Sequence, residues 1–207
     1  QLGEKTLTII NAYSKYDFSE LCDCDFTGGN VFSVLMDEEF DQTSHEIRLT
    51  SPTGGTLEYI LGGYYETSDL EFRDTIQVPA NSVLVPILNA NPAFNGTPLQ
   101  GIAGTVIAAT GTPRRFTQDA RSYSGFAQIS WNMNEEIRST FGLRYSKDKK
   151  DATRTLRITD INGFELAEPQ RSGARQVYAA VFNVRRTDLH NLSGSRDEDQ
   201  VLPSVTL

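Results

Sequence analysis

Residues 137–146 have the sequence Ile-Arg-Ser-Thr-Phe-Gly-Leu-Arg-Tyr-Ser, in which apolar and polar side chains alternate. The apolar side chains would share one face: Ile137, Phe141, Leu143 and Tyr145. Ser139 is the only polar member of that face. Because successive side chains of a β-strand point to opposite sides, this stretch predicts a strand with one apolar and one polar face.

Four further stretches have the composition or the alternation of strands: residues 5–16, 45–51, 56–65 and 123–132. The apolar faces of the last two include Leu57, Tyr59, Leu61, Ile129 and Trp131. No sustained run places apolar residues at positions i, i+3, i+4 and i+7, as an amphipathic helix requires. The sequence therefore predicts an all-β fold.

The connections between the predicted strands come in two lengths. Residues 52–55 and 133–136 are short enough for tight hairpin turns. The other connections would be long loops, at residues 17–44, 67–122 and 147–200. Compact soluble domains rarely carry several loops of that length, whereas membrane barrels combine short periplasmic turns with long extracellular loops. The alternation predicts antiparallel strands of a transmembrane β-barrel with long extracellular loops.

The long loops carry further signals. Asn162-Gly163 lies between alternating apolar residues. This pattern is a strong hairpin signal. It predicts that the fifth strand continues as a ribbon beyond the membrane. Residues 176–186 have strand-like composition but no identifiable partner. The first loop and its borders carry nine acids, for which solvated charge is favoured over a site for a cation: Asp17, Glu20, Asp23, Asp25, Asp37, Glu38, Glu39, Asp41 and Glu46.

The composition narrows the class of protein. The 207-residue chain is 38% hydrophobic with a net charge of −8, which argues against a nucleic-acid-binding protein. No stretch approaches the roughly 20 apolar residues of a membrane helix, whereas barrel strands need only about 9–11. The chain begins at Gln1 without a signal peptide and ends within an apolar run. We therefore interpret it as a segment of a longer protein.

The sequence contains no recognisable catalytic or phosphate-binding motif, so we predict no enzyme, no cofactor and no metal site. His45 and His190 are far apart and lack a nearby nucleophile pattern. Cys22 and Cys24 alternate with aspartates but have no second pair that would complete a zinc site. A polar loop with two thiols or a local disulfide is favoured over a cation site there.

Charged residues fall on the polar faces of the predicted strands, namely Glu46, Arg48, Glu58, Arg138 and Arg144. They are candidates for a lumen that meets a plug or a ligand, and ion pairs within the barrel wall are an equal alternative. A group of cations follows the fifth strand, namely Lys147, Lys149, Lys150, Arg154 and Arg157. Binding of lipopolysaccharide phosphates and ordinary solvated charge are both open for this group.

Two parts of the chain resemble the TonB-dependent outer-membrane receptor family. Residues 44–52, Ser-His-Glu-Ile-Arg-Leu-Thr-Ser-Pro, precede Gly54-Gly55 and Gly63-Tyr64-Tyr65 and are similar to that family's strand-turn-strand pattern. Residues 123–128, Tyr-Ser-Gly-Phe-Ala-Gln, and residues 141–146, Phe-Gly-Leu-Arg-Tyr-Ser, are similar to two more of its strands. The resemblance implies a barrel of about 22 strands with a plugged lumen. This segment would supply five or six strands, and the plug domain would not be present in it.

The resemblance also implies a function. The whole protein would be an active-transport receptor in the outer membrane of a Gram-negative bacterium, and TonB would energise uptake of siderophore-iron, cobalamin or an oligosaccharide. Its partners would be outer-membrane lipid, lipopolysaccharide, the plug domain, the TonB complex and a small-molecule ligand, but no nucleic acid. A passive porin and a soluble β-sandwich adhesin or carbohydrate-binding module are the alternatives.

In such a barrel, apolar strand faces contact lipid and polar faces line the lumen. The residues expected to face lipid are Leu57, Tyr59, Leu61, Ile129, Trp131, Phe141, Leu143 and Tyr145. The five charged candidates named above would face the lumen.

Overall fold

The computed structural model describes residues 4–134, 136–181 and 191–207. The described residues form seven strands: β1 (Thr6–Cys22), β2 (Ser33–Thr50), β3 (Leu57–Val78), β4 (Thr110–Asn132), β5 (Arg138–Leu156), β6 (Thr159–Asp160) and β7 (Leu192–Thr206). They also form the helices α1 (Leu84–Asn89), α2 (Ala103–Ile107) and α3 (Gln170–Val181), with a short 3-10 helix over Pro92–Phe94. The predictions for residues 133–136, 147–200 and 176–186 fall partly outside the described residues, and His190 falls wholly outside them.

The strands form one antiparallel sheet in the order β1-β2-β3-β4-β5-β7, and the short β6 pairs with the end of β4. The register between β3 and β4 is continuous, from Leu57 opposite Trp131 to Val78 opposite Thr110. The sheet does not close on itself within the described residues. The prediction of an all-β, antiparallel barrel fragment is confirmed. None of the described helices is long and apolar enough to cross a membrane.

The long strands extend well beyond the predicted ones. β3 has 22 residues and β4 has 23, so the loop predicted at residues 67–122 is reduced to the connection at residues 79–109. The loop predicted at residues 17–44 is likewise a turn at residues 23–32. These predictions were wrong because the face that is apolar in the inner strand halves becomes polar in the outer halves, so the hydrophobic alternation ends while the backbone pairing continues.

The acidic residues assigned to the first loop lie mainly on strands. Seven of the nine belong to β1 or β2: Asp17, Glu20, Asp37, Glu38, Glu39, Asp41 and Glu46. Asp23 and Asp25 lie in the turn, which begins beside a disulfide between Cys22 and Cys24. Among the described residues, no group of three or more His, Cys, Asp or Glu side chains is placed to hold a metal ion.

A helical cap, made of residues 79–109 and 157–181, packs at the outer end of the sheet. Its core joins both segments to the end of β3 through Val78, Leu88, Phe94, Leu99, Ala103, Ile107, Ile158, Leu166, Ala174, Val177 and Tyr178. In α3, Ala174, Val177 and Tyr178 have the spacing of a buried helix face. Residues 176–181 are therefore helical, and the strand-like interpretation of them was wrong. Packing against the cap overrides the strand preference of Val and Tyr.

The Asn162-Gly163 signal marks a real turn with a different role. The Gly163 amide donates to the Asp160 carbonyl at 3.1 Å, and Thr159 forms a bridge with Glu165. However, β6 pairs with β4, so β5 does not continue into a ribbon. The prediction of an extended ribbon was wrong because the turn packs back against the sheet.

Candidate functional site

The register aligns apolar side chains of the six long strands on one face of the sheet, here called the apolar belt. One row across it consists of Leu7, Leu49, Leu61, Ala127, Leu143 and Pro203. The belt contains all eight residues predicted to face lipid: Leu57, Tyr59, Leu61, Ile129, Trp131, Phe141, Leu143 and Tyr145. Leu57 is 56% exposed and Leu143 is 54% exposed. The belt is therefore an open apolar surface in the described part of the chain.

The belt has the height of a membrane-spanning strand segment. On β3 it extends from Leu57 to Tyr65, which is about 26 Å at roughly 3.3 Å per residue. Its outer boundary is a row of rings, in which the centroids of Tyr65 and Tyr123 lie 5.0 Å apart and His45 stacks on Tyr65 at 6.3 Å. Rings with an apolar body and a polar tip are typical of the boundary between hydrocarbon and water.

The opposite, polar face carries the five charged candidates. Arg48 pairs with Glu46 two residues earlier on β2, at 2.7 Å. Arg144 donates to the hydroxyl of Ser124 at 2.9 Å and to that of Ser146 at 3.1 Å. These bonds lie within the wall, as the alternative of wall ion pairs predicts, and a contact of these side chains with a plug or a ligand stays a prediction.

Glu58 and Arg138 hold together the edge of the sheet where the tight turns lie. One carboxylate oxygen of Glu58 accepts hydrogen bonds from the Gly54 amide at 2.7 Å and the Asn132 side chain at 3.2 Å. The other oxygen accepts from Arg138 at 2.8 Å. The Glu58 side chain is only 13% exposed. These contacts join the turn after β2, at Gly54, to the adjacent ends of β4 and β5, and they occupy Glu58 in a structural role. The short connections between β2 and β3 and between β4 and β5 lie where they were predicted.

An aromatic patch on the polar face was missed by the sequence analysis. It lies beyond the level of the tyrosine row and consists of Tyr16, Phe18, Phe40, Leu70, Phe72 and Phe116. The rings of Tyr16 and Phe40 stack at 5.3 Å, and Tyr16 donates a hydrogen bond to Glu38, which raises the pKa of Tyr16. The sequence analysis places all of these residues except Tyr16 in loops. The spacing of two between apolar members on β1 and β3 was the available signal.

Beside this patch, the polar face forms a charged recess with a volume of about 320 Å³. Its floor is made by small residues, including Ser68 and Ala120. Lys150 lies directly opposite Arg196 in the register, so two cations border the recess. Glu198 pairs with Arg196 at 2.5 Å. The recess offers point charges and hydrogen-bonding groups next to aromatic rings.

The helical cap adjoins the outer end of this same polar face. Val78 and Thr110 are opposite each other there, both almost completely buried. The Thr110 hydroxyl lies 2.8 Å from the hydroxyl of Tyr178 in α3, and burial raises the pKa of Tyr178. Nearby, the Arg114 Nε donates to the buried Asp74 carboxylate at 2.8 Å. The cap is therefore anchored on the polar side of the sheet.

The cations that follow the apolar part of β5 do not form one cluster. Lys147 and Lys149 lie on the side of the apolar belt, where their amines approach Asp197 at 3.1 and 3.3 Å. Lys150 and Arg154 point to the polar face by alternation along β5, and Arg157 lies past the strand. The prediction that all five follow the fifth strand was therefore wrong for four of them, which belong to β5 and lie on both of its faces.

No protein-family model and no curated protein matches this chain. Among solved structures, it is similar to the ferric yersiniabactin uptake receptor FyuA from Yersinia pestis, with a TM-score of 0.61 and 13% identity over 99% of this chain. The chain spans 23% of the length of that receptor. The RagAB peptide transporter is also found, at 12% identity and a TM-score of 0.39 over 83% of this chain and 16% of that one. The first similarity shows the fold alone, a wall of a receptor-like β-barrel.

Proposed function

We propose that this chain is part of the barrel wall of an outer-membrane receptor in a Gram-negative bacterium. The receptor captures a scarce ligand such as siderophore-iron, cobalamin or an oligosaccharide and imports it with energy delivered through TonB. The apolar belt carries the proposal, because an open apolar face of this height, bounded by rings and backed by a polar face, matches the wall of a membrane barrel. The plug and the TonB contacts belong to other parts of the protein.

The polar face favours a receptor over a passive porin. The aromatic patch and the charged recess lie side by side beyond the belt, because Leu70 of the patch lies directly opposite Gln118, which lines the recess. The helical cap is anchored beyond them on the same side through Val78 and Tyr178. A folded cap over a surface with aromatic and charged groups suits selective capture, whereas a porin needs an unobstructed aqueous channel.

The soluble β-sandwich alternative is disfavoured by the exposure of the belt. A sandwich buries one face of each sheet against the other sheet. Here the only buried apolar core among the described residues belongs to the helical cap, and the belt has no second sheet against it in that part of the chain. An exposed apolar area of this extent marks a surface that contacts lipid or another protein.

The test compares uptake and binding by the full-length protein in cells with and without TonB. Radiolabelled ferric siderophores, cobalamin and oligosaccharides are offered at low concentration. We expect one of these classes to bind in both strains and to be imported only when TonB is present. Equal import in both strains, together with rapid sugar diffusion into proteoliposomes, would instead identify a porin.

A second measurement tests whether the aromatic patch and the charged recess bind the ligand. Replacing Phe72 with Ala, or Lys150 and Arg196 together with Gln, removes the ring or the cations while leaving the belt intact. We expect weaker ligand binding with normal membrane insertion. Lys15→Gln, a charge change on the opposite face of β1, is the matched control and should bind ligand normally.

A further inference from the structure

A groove interrupts the apolar belt just below its tyrosine row. Its volume is about 420 Å³, and its walls include Ile9, Ile47, Tyr65, Tyr123 and Tyr145. Gly63 and Gly125 lie directly opposite each other in its floor. Because glycine has no side chain, these two positions leave a gap in the belt, and this gap is the groove.

The floor of the groove is backbone and the space above it is open. A Cβ atom placed on Gly125 would meet no atom within 4 Å. On Gly63, the nearest atoms would be Ile47 Cγ2 and the Ser124 carbonyl, both at 3.8 Å. Glycine weakens a strand interior and often marks a place where a ligand approaches the backbone closely. Two glycines opposite each other, with no neighbour filling their space, point to an occupant from outside the sheet.

A basic collar borders the outer end of the groove. Lys147 lies opposite Tyr123, and Arg121 lies opposite Lys149 on the next row outward. These three cations face two carboxylates, Asp197 and Asp199, so the collar keeps a net positive charge in a chain whose net charge is −8. The following row is acidic, with Asp41, Asp69, Asp119 and Asp151 in register on four adjacent strands. The net positive charge of the collar therefore lies between the apolar groove and an acidic row.

We propose that the groove binds an acyl chain of a membrane lipid with a net negative phosphate headgroup and that the basic collar holds its phosphate. The proposal rests on the membrane location proposed above. An acyl chain matches the apolar walls formed by Ile9 and Ile47, and the rings of Tyr65 and Tyr123 bound it where hydrocarbon meets water. Lysine and arginine at the collar supply the charge-assisted hydrogen bonds that phosphate oxygens accept.

The experiment uses the full-length protein in nanodiscs that contain a photoreactive diazirine on the acyl chain of phosphatidylglycerol or of phosphatidylcholine. After illumination, labelled peptides are mapped by mass spectrometry. We expect labelling at Ile47, Gly63 and Gly125 to exceed labelling at Leu57 and Phe141 several-fold with phosphatidylglycerol. With phosphatidylcholine, whose headgroup has no net charge, we expect this excess to fall markedly.

Three variants separate the groove from the collar. Gly125→Leu fills the groove where a side chain meets no atom and should abolish the excess with either lipid. The double variant Lys147→Gln and Lys149→Gln should remove only the preference for phosphatidylglycerol. Ala127→Leu adds the same side chain one position further along the same face and should leave labelling unchanged.

The proposal is overturned by labelling that is even along the belt, or that is unaffected by Gly125→Leu. It is also overturned if other belt peptides are labelled by both lipids while the groove peptides are not. Failure of the membrane assignment has a different signature, since the protein would then not enter nanodiscs and no belt residue would be labelled.

Discussion

The ring of Phe126 lies over the backbone of Gly62, its cross-strand neighbour on the polar face. A Cβ atom built on Gly62 would be 2.2 Å from Phe126 Cζ and 2.8 Å from the two adjoining ring carbons. The ring therefore fills the space of a side chain at position 62 and covers the exposed strand backbone, an arrangement that stabilises glycine-containing strands. On the other face, Gly63 and Gly125 have no such cover, and the groove results.

Gly62→Val is expected to destabilise the barrel by about 1–3 kcal/mol, because the added atoms overlap the Phe126 ring. The measurement is urea-induced unfolding of the full-length protein in detergent. Gly125→Val is the matched control, since its side chain enters open space. Equal midpoints for the two variants would contradict the assigned packing of Phe126.

Leu143→Arg is expected to impair assembly far more than Arg144→Leu. Leu143 lies in the apolar belt, where arginine costs roughly 2–4 kcal/mol near the bilayer midplane, whereas changes on the lumen side have smaller effects. Arg144→Leu loses only hydrogen bonds to Ser124 and Ser146. Heat-modifiable gel mobility of the two full-length variants measures the folded fractions. Similar folded fractions would count against a membrane barrel.

Glu58→Ala is expected to cost about 1–3 kcal/mol, because the Gly54 amide and the Arg138 side chain lose a shared acceptor at a poorly exposed site. Glu46→Ala removes a half-exposed ion pair with Arg48 and should cost less than about 1 kcal/mol. Unfolding in urea, followed by tryptophan fluorescence, compares the two. A larger loss of stability in Glu46→Ala than in Glu58→Ala would show that Glu58 does not hold together the edge of the sheet where the tight turns lie.

Asp69→Asn is expected to stabilise the protein at neutral pH. A hydrogen bond with Asp119 raises the pKa of Asp69, with further contributions from burial and from the charges of Asp119 and Asp41. The native protein therefore gains stability as the pH falls through this raised pKa, and it loses that contribution as the pH rises. Like charges directly across a strand pair cost about 0.2–1 kcal/mol.

The measurement for Asp69→Asn is unfolding at pH 7 and at pH 4. The advantage of the variant should be present at pH 7 and should shrink at pH 4, where the native carboxyl group is increasingly protonated. Asp37→Asn is the control, because Asp37 lies opposite Arg73 and accepts a hydrogen bond from Ser19. It should not gain stability at pH 7. A stabilisation by Asp69→Asn that is independent of pH would contradict the charge-repulsion mechanism.

The sequence predicted the inner halves of the strands that form the barrel wall, but it did not predict the outer halves. Alternation located the inner halves of the strands because one of their faces is uniformly apolar, as at Phe141 and Leu143. The outer halves were assigned to loops because the face that is apolar in the inner halves is polar there, as at Asp69, and the other face mixes polar residues such as Ser68 with the aromatic patch. There the strands are held by continuous backbone pairing with neighbours, a property of the sheet that leaves no periodic signal in one segment.

The sequence by itself determined the all-β class, the two tight turns and which side chains share the apolar belt, since a period of two puts every second residue on one face. Only the tertiary structure determined which distant residues meet on the apolar belt and on the opposite, polar face. The groove needs Gly63 beside Gly125 on another strand, and the role of Glu58 needs Arg138, which is 80 positions away. The helical cap likewise depends on joining residues 79–109 to α3. Such sites arise from register and packing between distant segments, and local residue patterns do not encode the distance between them.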